Sequence, residues 1–279
     1  SKQSPATRGT MERIIHDTRD AFNAGNAILR FDISNAFNSA KREFVRQALM
    51  DNPQSEILQF FRVMYQQHAL LAVFGQECID FVDFDEGVRQ GDAFSGFFFG
   101  KLMDKVLFDF VRARPESTTS AKAYMDDLTI VTLPQHVPAV IAAATDALAR
   151  WGFSVNASKS AVICKSELPA VEFPSKVPED EFVILGANLT DAYFTFNHQY
   201  QVKTNRFFDL LDESDIHPQL KWTFLRLCGA PRMLHYANVT PPEHSRETLE
   251  HFDLRMMQSS HKITHPAAHP VLLNHAHGG

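Results

Sequence analysis

The chain has 279 residues, is 44% hydrophobic and carries a formal net charge of −6. Length and composition support a sizeable buried core in one large domain or two. No apolar run approaches 18 residues, so no membrane span is implied, and the acidic balance does not advertise nucleic-acid binding as a basic domain would.

The first residues, Ser1-Lys2-Gln3-Ser4-Pro5, have no apolar h-region and are no signal peptide. With no initial methionine, the chain is expected to be a fragment of something longer. From Thr10 to Ala24 the period is helical, with Met11, Ile14, Ile15 and Thr18 on one face, Thr10 as the cap and Gly25 at the stop. Ala27 to Phe31 reads as a short buried strand. It runs into Asp32-Ile33-Ser34-Asn35-Ala36-Phe37-Asn38, which places a carboxylate at a strand edge, where sites are usually built. A helix cap or turn is the plainer role for Asp32. Lys41 to Met50 is a second helix. Asn52-Pro53 begins a third, with Pro at its first helical position and an apolar stripe of Ile57, Phe60, Phe61 and Met64 read as core. Leu70–Phe74 and Cys78–Val82 read as a hairpin joined at Gly75.

Gly87 to Gly96 is a glycine-punctuated loop. It leads into a helix from Ser95 to Arg114 that is apolar on most sides and therefore expected to be buried. Gly91 lets backbone approach a ligand closely, and Gln90 offers both donors and an acceptor. An ordinary loop with Ser95 as N-cap fits the same residues.

The stretch Ala123 to Val131 reads strand, tight turn, strand around Asp126-Asp127. Two adjacent carboxylates at a hairpin tip repel each other, and folding alone gives no reason to pair them. A divalent cation with an oxygen shell, Mg²⁺ or Mn²⁺, would supply one. A solvated Asp-Asp turn is the plain alternative.

Val137 to Trp151 is an alanine-rich amphipathic helix closed by Gly152, followed by Asn156 to Ser160 and a strand from Ala161 to Cys164. Glu167 to Asp180, with three prolines, reads as a surface loop. Phe182–Gly186 and Ala187–Phe196 read as a hairpin, and helical pattern resumes from Tyr200. Cys78, Cys164 and Cys228 form no CxxC pair and read as buried thiols in a reducing compartment. His261, His265, His269, His275 and His277 lack a helical metal-binding face, because prolines at 266 and 270 interrupt it. A disordered tail is expected there.

The ordered set resembles the reverse transcriptases, RNA-directed DNA polymerases with a right-hand fold. Phe31 to Asn38 resembles their first palm motif, Gln90-Gly91-Asp92 followed by Ser95 the second, and Tyr124-Met125-Asp126-Asp127 the third. Gly152-Phe153 through Asn156 and Lys159 resembles the fourth, and Leu185-Gly186 the fifth, the primer grip. Asp-x-x-x-Ala-Phe-Asn, Arg-Gln-Gly-Asp and the thumb-like stretch from Leu227 to Tyr236 resemble the non-LTR retrotransposon type.

The resemblance implies an α+β fold, a right-hand polymerase palm in which an antiparallel sheet is backed by helices, with partial fingers and the start of a thumb. Residues 1–26 would be a fingers remnant, 27–196 palm with a fingers-like insert around 41–85, 197–262 the start of the thumb, and 263–279 a disordered tail. It implies two-metal nucleotidyl transfer that adds dNTPs to a primer 3′-OH on an RNA template, with ions about 3.5–4 Å apart. Asp32 and Asp126 would ligate Mg²⁺ (or Mn²⁺) with help from the Ile33 carbonyl, and Asp127 would ligate more weakly. Phe37 would be a steric gate against a ribose 2′-OH. Gln90 and Gly91 would line the nucleotide pocket, Lys159 would approach the triphosphate, and Arg89 is a looser phosphate contact.

The partners implied are an RNA template, a DNA or RNA primer and dNTPs. No membrane is implied, the oligomeric state is left open, and the setting is intracellular, nuclear for a eukaryotic retroelement. Ala93, Phe94 and Gly96 depart from the family's Pro, Leu and Pro. Most of the basic fingers is expected to be missing, which fits the acidic charge. Two other readings stay open: an inactive or domesticated copy that binds RNA or protein, and an RNA-directed RNA polymerase, which Phe37 disfavours.

Overall fold

The structure, a computed structural model, describes residues 9–50, 56–65, 70–74, 79–114, 119–171, 175–178, 182–190 and 192–264. The chain divides into two compact units, Ser1–Leu185 and Gly186–Gly279.

In the first unit α1 (Thr10–Asn23) leads to β1 (Ala27–Asp32), then to α2 (Ala36–Ser39), α3 (Arg42–Leu49) and α4 (Glu56–Tyr65). A hairpin of β2 (Leu70–Phe74) and β3 (Ile79–Asp83) precedes the long α5 (Ser95–Ala113). The hairpin β4 (Ser120–Tyr124)–β5 (Asp127–Thr132), helix α6 (Val137–Arg150) and strands β6 (Ala161–Ile163), β7 (Ser175–Lys176) and β8 (Val183–Ile184) complete it.

The main sheet has the order β4-β5-β1-β6-β7. Strand β1 lies in the middle, antiparallel to both neighbours, and only the short β6–β7 pair is parallel. Side chains alternate across a strand, and the burial of β1 follows: Leu29 and Phe31 are fully buried, while Arg30 and Asp32 are half open. On the buried face Leu29, Phe31, Leu128 and Ile130 pack with Phe98, Phe99 and Leu102 of α5 and with Val140, Ala144 and Leu148 of α6. Each fully buried Phe or Leu contributes on the order of 1.5–3 kcal/mol. Two helices thus cover one face of an antiparallel sheet, as expected.

The second unit contains β9 (Ala187–Asn188), α7 (Ala192–Gln199), a π-helical stretch (Tyr200–Asn205), α8 (Arg206–Glu213), α9 (Pro218–Phe224), α10 (Leu234–Val239) and α11 (Pro242–Ile263). Its core includes Phe196, Tyr200, Phe208, Leu225 and Phe252. Among the described residues no helix is long and apolar enough to cross a membrane.

Several local expectations are corrected. The cap of α1 is Gly9, in the left-handed region at φ +78°, and not Thr10. Phe94 holds the cap position of α5; the Ser95 hydroxyl donates to the carbonyl of Asp92, and Asp92 Oδ1 accepts from the Phe94 N–H. Helix α5 leaves Phe97 and Phe108 exposed, so it is buried on one side only. The strand expected from Ala187 to Phe196 ends at Asn188, whose Oδ1 accepts from the Thr190 N–H. That side-chain turn replaces the ladder, and a helix starts at Ala192. Of the thiols, Cys164 is buried and Cys228 exposed. Cys78, the Gly75 turn, the Asn52-Pro53 helix start and residues 265–279, with four of the five histidines, lie outside the described residues.

Candidate active site

The sheet register brings the acidic residues together. Asp32, the last residue of β1, stands directly opposite Asp127, the first residue of β5. Directly paired residues of antiparallel strands share a face, with Cβ atoms about 4.5–5.5 Å apart. Met125 and Asp126 form the turn between β4 and β5, and Met125 holds φ +53°. Asp126 is exposed, whereas Asp127 is half-buried. Burial and then the neighbouring charge of Asp126 push the Asp127 carboxyl above its ordinary range; Arg30 opposes this, and Asp32 adds to it. Like charges held on one edge disfavour the ionised form of the more buried carboxyl.

Carboxylate oxygens are what Mg²⁺ or Mn²⁺ requires, and the backbone adds one more. Beyond Asp32, Ile33 bridges Val155, with the Ser34 N–H donating to Ser154 O and the Asn156 N–H to Asp32 O. In that antiparallel pattern Ile33's own carbonyl points to the opposite side of the strand, the side of β5 and the Asp126 turn. Among the described residues, however, no group of three or more His, Cys, Asp or Glu side chains is already gathered tightly enough to hold a metal ion. The donor set fits a divalent cation in chemistry.

Asp32 and Asp127 line a hollow of about 350 Å³ with Arg30, Lys159 and Ser160. The Ser160 hydroxyl accepts from the Asp32 N–H and donates to the carbonyl of Asn156, tying the loop to the end of β1. Lys159 is exposed at the rim. Arg30 was not singled out from the sequence. One Nη donates to the carbonyl of Lys159 and the other to that of Val183, and its guanidinium lies over the Phe182 ring. It thus holds the Lys159 loop and β8 against β1. The available signal was its spacing: Arg30 lies two residues before Asp32 and so on the same strand face.

Phe37, in α2, is half-buried and stacks on Phe99 with ring centroids 4.7 Å apart. Its carbonyl accepts from the Val88 N–H, which clasps the Gly87–Asp92 loop to the segment after Asp32. Gln90 and Gly91 are exposed on a turn; Gly91 has φ +89° and open space where a side chain would be. Leu185 and Gly186 form the tight turn between β8 and β9, at φ +48° and +81°.

Tyr65 was also missed, and no local signal marks it, because its partners lie far along the chain. Its hydroxyl donates to Asp92 Oδ2 at 2.6 Å and accepts from the Arg89 N–H at 3.3 Å. Burial and the bond to Asp92 push the phenol up to about 12. The Phe94 N–H, then the Tyr65 hydroxyl, hold the Asp92 carboxyl below its usual range. Tyr65→Phe is expected to lower stability by about 1–2 kcal/mol at neutral pH in urea denaturation. A carboxylate whose folded pKa is depressed stabilises above the unfolded value, near pH 4, and loses that contribution as pH falls through the folded value. The gap between wild type and variant should therefore close below about pH 4.

A largely antiparallel sheet with helices behind it, its carboxylates on one edge where β1 meets a tight hairpin, is the palm of a nucleic-acid polymerase. Residues 3–189 match the sequence profile of the reverse transcriptase (RNA-dependent DNA polymerase) family. The match covers more than half of the chain, and the chain belongs to that family. No curated protein matches it by sequence. Among solved structures, the apo telomerase of Candida tropicalis is 13% identical, with 93% of this chain and 45% of that chain covered and a TM-score of 0.54, which shows the fold. A Candida albicans telomerase in complex with a fragment of telomeric RNA (11% identical, 98% and 50% covered, TM-score 0.40) and the RNA-dependent RNA polymerase of a human picobirnavirus (13%, 91% and 52%, TM-score 0.37) are more remote. The chain spans about half the length of these structures.

Proposed function

We propose that the chain is the palm-centred core of an RNA-directed DNA polymerase of the non-LTR retrotransposon type, extending a DNA or RNA primer on an RNA template with dNTPs. The observation that carries the reading is the direct pairing of Asp32 with Asp127, with Asp126 in the adjoining turn and Lys159 on the same hollow, in a chain of the reverse transcriptase family. Asp32, Asp126 and the Ile33 carbonyl would hold Mg²⁺ (or Mn²⁺), with Asp127 the weaker ligand. When bound, the ions would lower the pKa of the primer 3′-OH and neutralise the leaving pyrophosphate.

The protein's own groups do the rest. Lys159, on the rim of the same hollow, would approach the triphosphate and give a proton to the leaving pyrophosphate. Arg30 fixes the Lys159 loop through its carbonyl. Gln90 and Gly91 present an open backbone to the base and sugar. Leu185 and Gly186 serve as the primer grip. In domain terms, residues 1–26 are a fingers remnant, 27–196 palm with the 41–85 insert, and 197–262 the start of the thumb. An intracellular setting, nuclear for a eukaryotic retroelement, goes with this reading.

Phe37, whose ring is stacked on Phe99, would act as the steric gate against a ribose 2′-OH. Phe37→Ala is expected to raise ribonucleotide incorporation relative to dNTP by on the order of tenfold or more. Competition of rNTP against dNTP on a primed RNA template measures it, and an unchanged ratio removes Phe37 from the gate.

The alternative reading is a domesticated copy that binds RNA or a protein without polymerising. Mg²⁺-dependent primer extension by the purified chain separates the two.

A further inference from the structure

A second cluster lies on the loop before Gln90, outside the carboxylate hollow. Arg42, at the first turn of α3, donates from Nε to the carbonyl of Gly87 at 3.2 Å and from Nη2 to that of Phe84 at 2.7 Å. Its guanidinium carbon stands 4.8 Å from the Phe84 ring centroid and 5.6 Å from that of Tyr65. The Arg89 guanidinium uses the same two rings, at 5.4 Å from Tyr65 and 5.6 Å from Phe84. Two permanently charged groups therefore share one aromatic frame.

Such a pair is self-repelling. Burial and then the charge of Arg89 hold Arg42 below its usual range; Asp85, Tyr65 and Glu86 pull the other way, each less than Arg89 does. Asp92, the other nearby acid, already accepts from Tyr65 and Phe94. Arg89 Nε is shut away from solvent and has no acceptor among the described residues, although the residue as a whole stays partly open. Folding does not explain an orphaned buried donor beside a second guanidinium. An anion with several acceptor oxygens does, and a guanidinium fork is the geometry that meets phosphate oxygens. The Val88 N–H bond to Phe37 O, at 2.9 Å, sets the cluster against the segment that follows Asp32.

We propose that Arg89 and Arg42, braced on Tyr65 and Phe84, form a cradle for a phosphate group of the nucleic-acid substrates, a site separate from the Asp32–Asp127 edge. The proposal rests on the polymerase reading above. The phosphate comes from the backbone of a bound strand or from the triphosphate of the incoming nucleotide, and the two sources give different results.

The test uses the full chain, wild type beside Arg89→Gln and Arg89→Lys. One arm reads fluorescence anisotropy of a labelled RNA–DNA primer–template across a salt series; the other reads the KM for dNTP in extension. For a strand phosphate, Arg89→Gln weakens binding by about tenfold on every sequence and lowers the salt slope by about one, with KM unchanged. For a triphosphate, KM rises by about tenfold with strand affinity unchanged. Arg89→Lys recovers the salt slope but only part of the affinity, and it serves as the readout if the Gln variant fails to fold. Unchanged affinity, slope and KM in both variants overturn the cradle alone. A wild-type chain that neither binds the duplex nor extends it overturns the polymerase reading, and the cradle with it.

Discussion

Asp126→Asn is expected to abolish Mg²⁺-dependent primer extension, by on the order of a thousandfold or more, while the protein melts no lower than wild type. The two halves of that result have separate causes. Asp126 is exposed in the β4–β5 turn, and Asn is as good a turn residue as Asp, so little packing is at stake. The charge of Asp126 also raises the neighbouring Asp127, so removing it relieves a repulsion within the folded state. Stability should hold or rise slightly. Activity depends on the same charge in the opposite sense, because a neutral amide is a poor ligand for a hard divalent cation. Loss of extension with an unchanged melting temperature would place Asp126 in the chemistry. Retained extension would remove it, and loss of both together would mean that the turn was structural. An inactive wild type would leave the reading of a binding protein built on a polymerase palm.

Asp32 and the Asp126-Asp127 pair lie far apart along the chain, yet both were legible as candidate site residues. The reason is local: each stands where an apolar strand run breaks off, and a charged side chain there marks the end of the buried pattern. The sheet and its backing helices α5 and α6 were legible for a similar reason, since their apolar periods are long. What periodicity could not supply was pairing across long separations. The bond from Tyr65 to Asp92 and the clasp of Arg42 on Phe84 and Gly87 join segments whose own patterns say nothing of each other. Arg30 was hidden differently. Its strand was read as uniformly buried, so the half-open face that Arg30 shares with Asp32 was overlooked. The false strand after Asn188 failed for lack of turn chemistry: one Asx side chain ended it.

Gly87→Ala should be the most damaging single-methyl change in the first unit. Gly87 has φ +75°, and a Cβ there would sit 2.6 Å from Asn38 O, 2.7 Å from Asn38 Cα and 2.8 Å from Phe37 O. All three are backbone atoms, so no side chain can turn aside. The left-handed conformation costs a non-glycine residue about 1–2 kcal/mol, and forcing a methyl into a filled space typically costs about 1–3 kcal/mol more. A total of about 3–4 kcal/mol corresponds to a drop of roughly 10 °C in melting temperature for a domain of this size. The loop can escape only by lifting off Phe37, which breaks the Val88 N–H bond to Phe37 O and the Arg42 bond to Gly87 O. Gly91→Ala separates space from strain. Gly91 is as strained, at φ +89°, but has nothing within 4 Å of its absent Cβ; it should lose only the conformational cost, about 1–2 kcal/mol. Equal losses in thermal melts of the two variants would mean that the loop is not clasped to Phe37. A much larger loss at Gly87 would make that clasp the link by which the Arg89–Asp92 loop is held beside Phe37, and so would couple the stability of this loop to the position of the proposed gate.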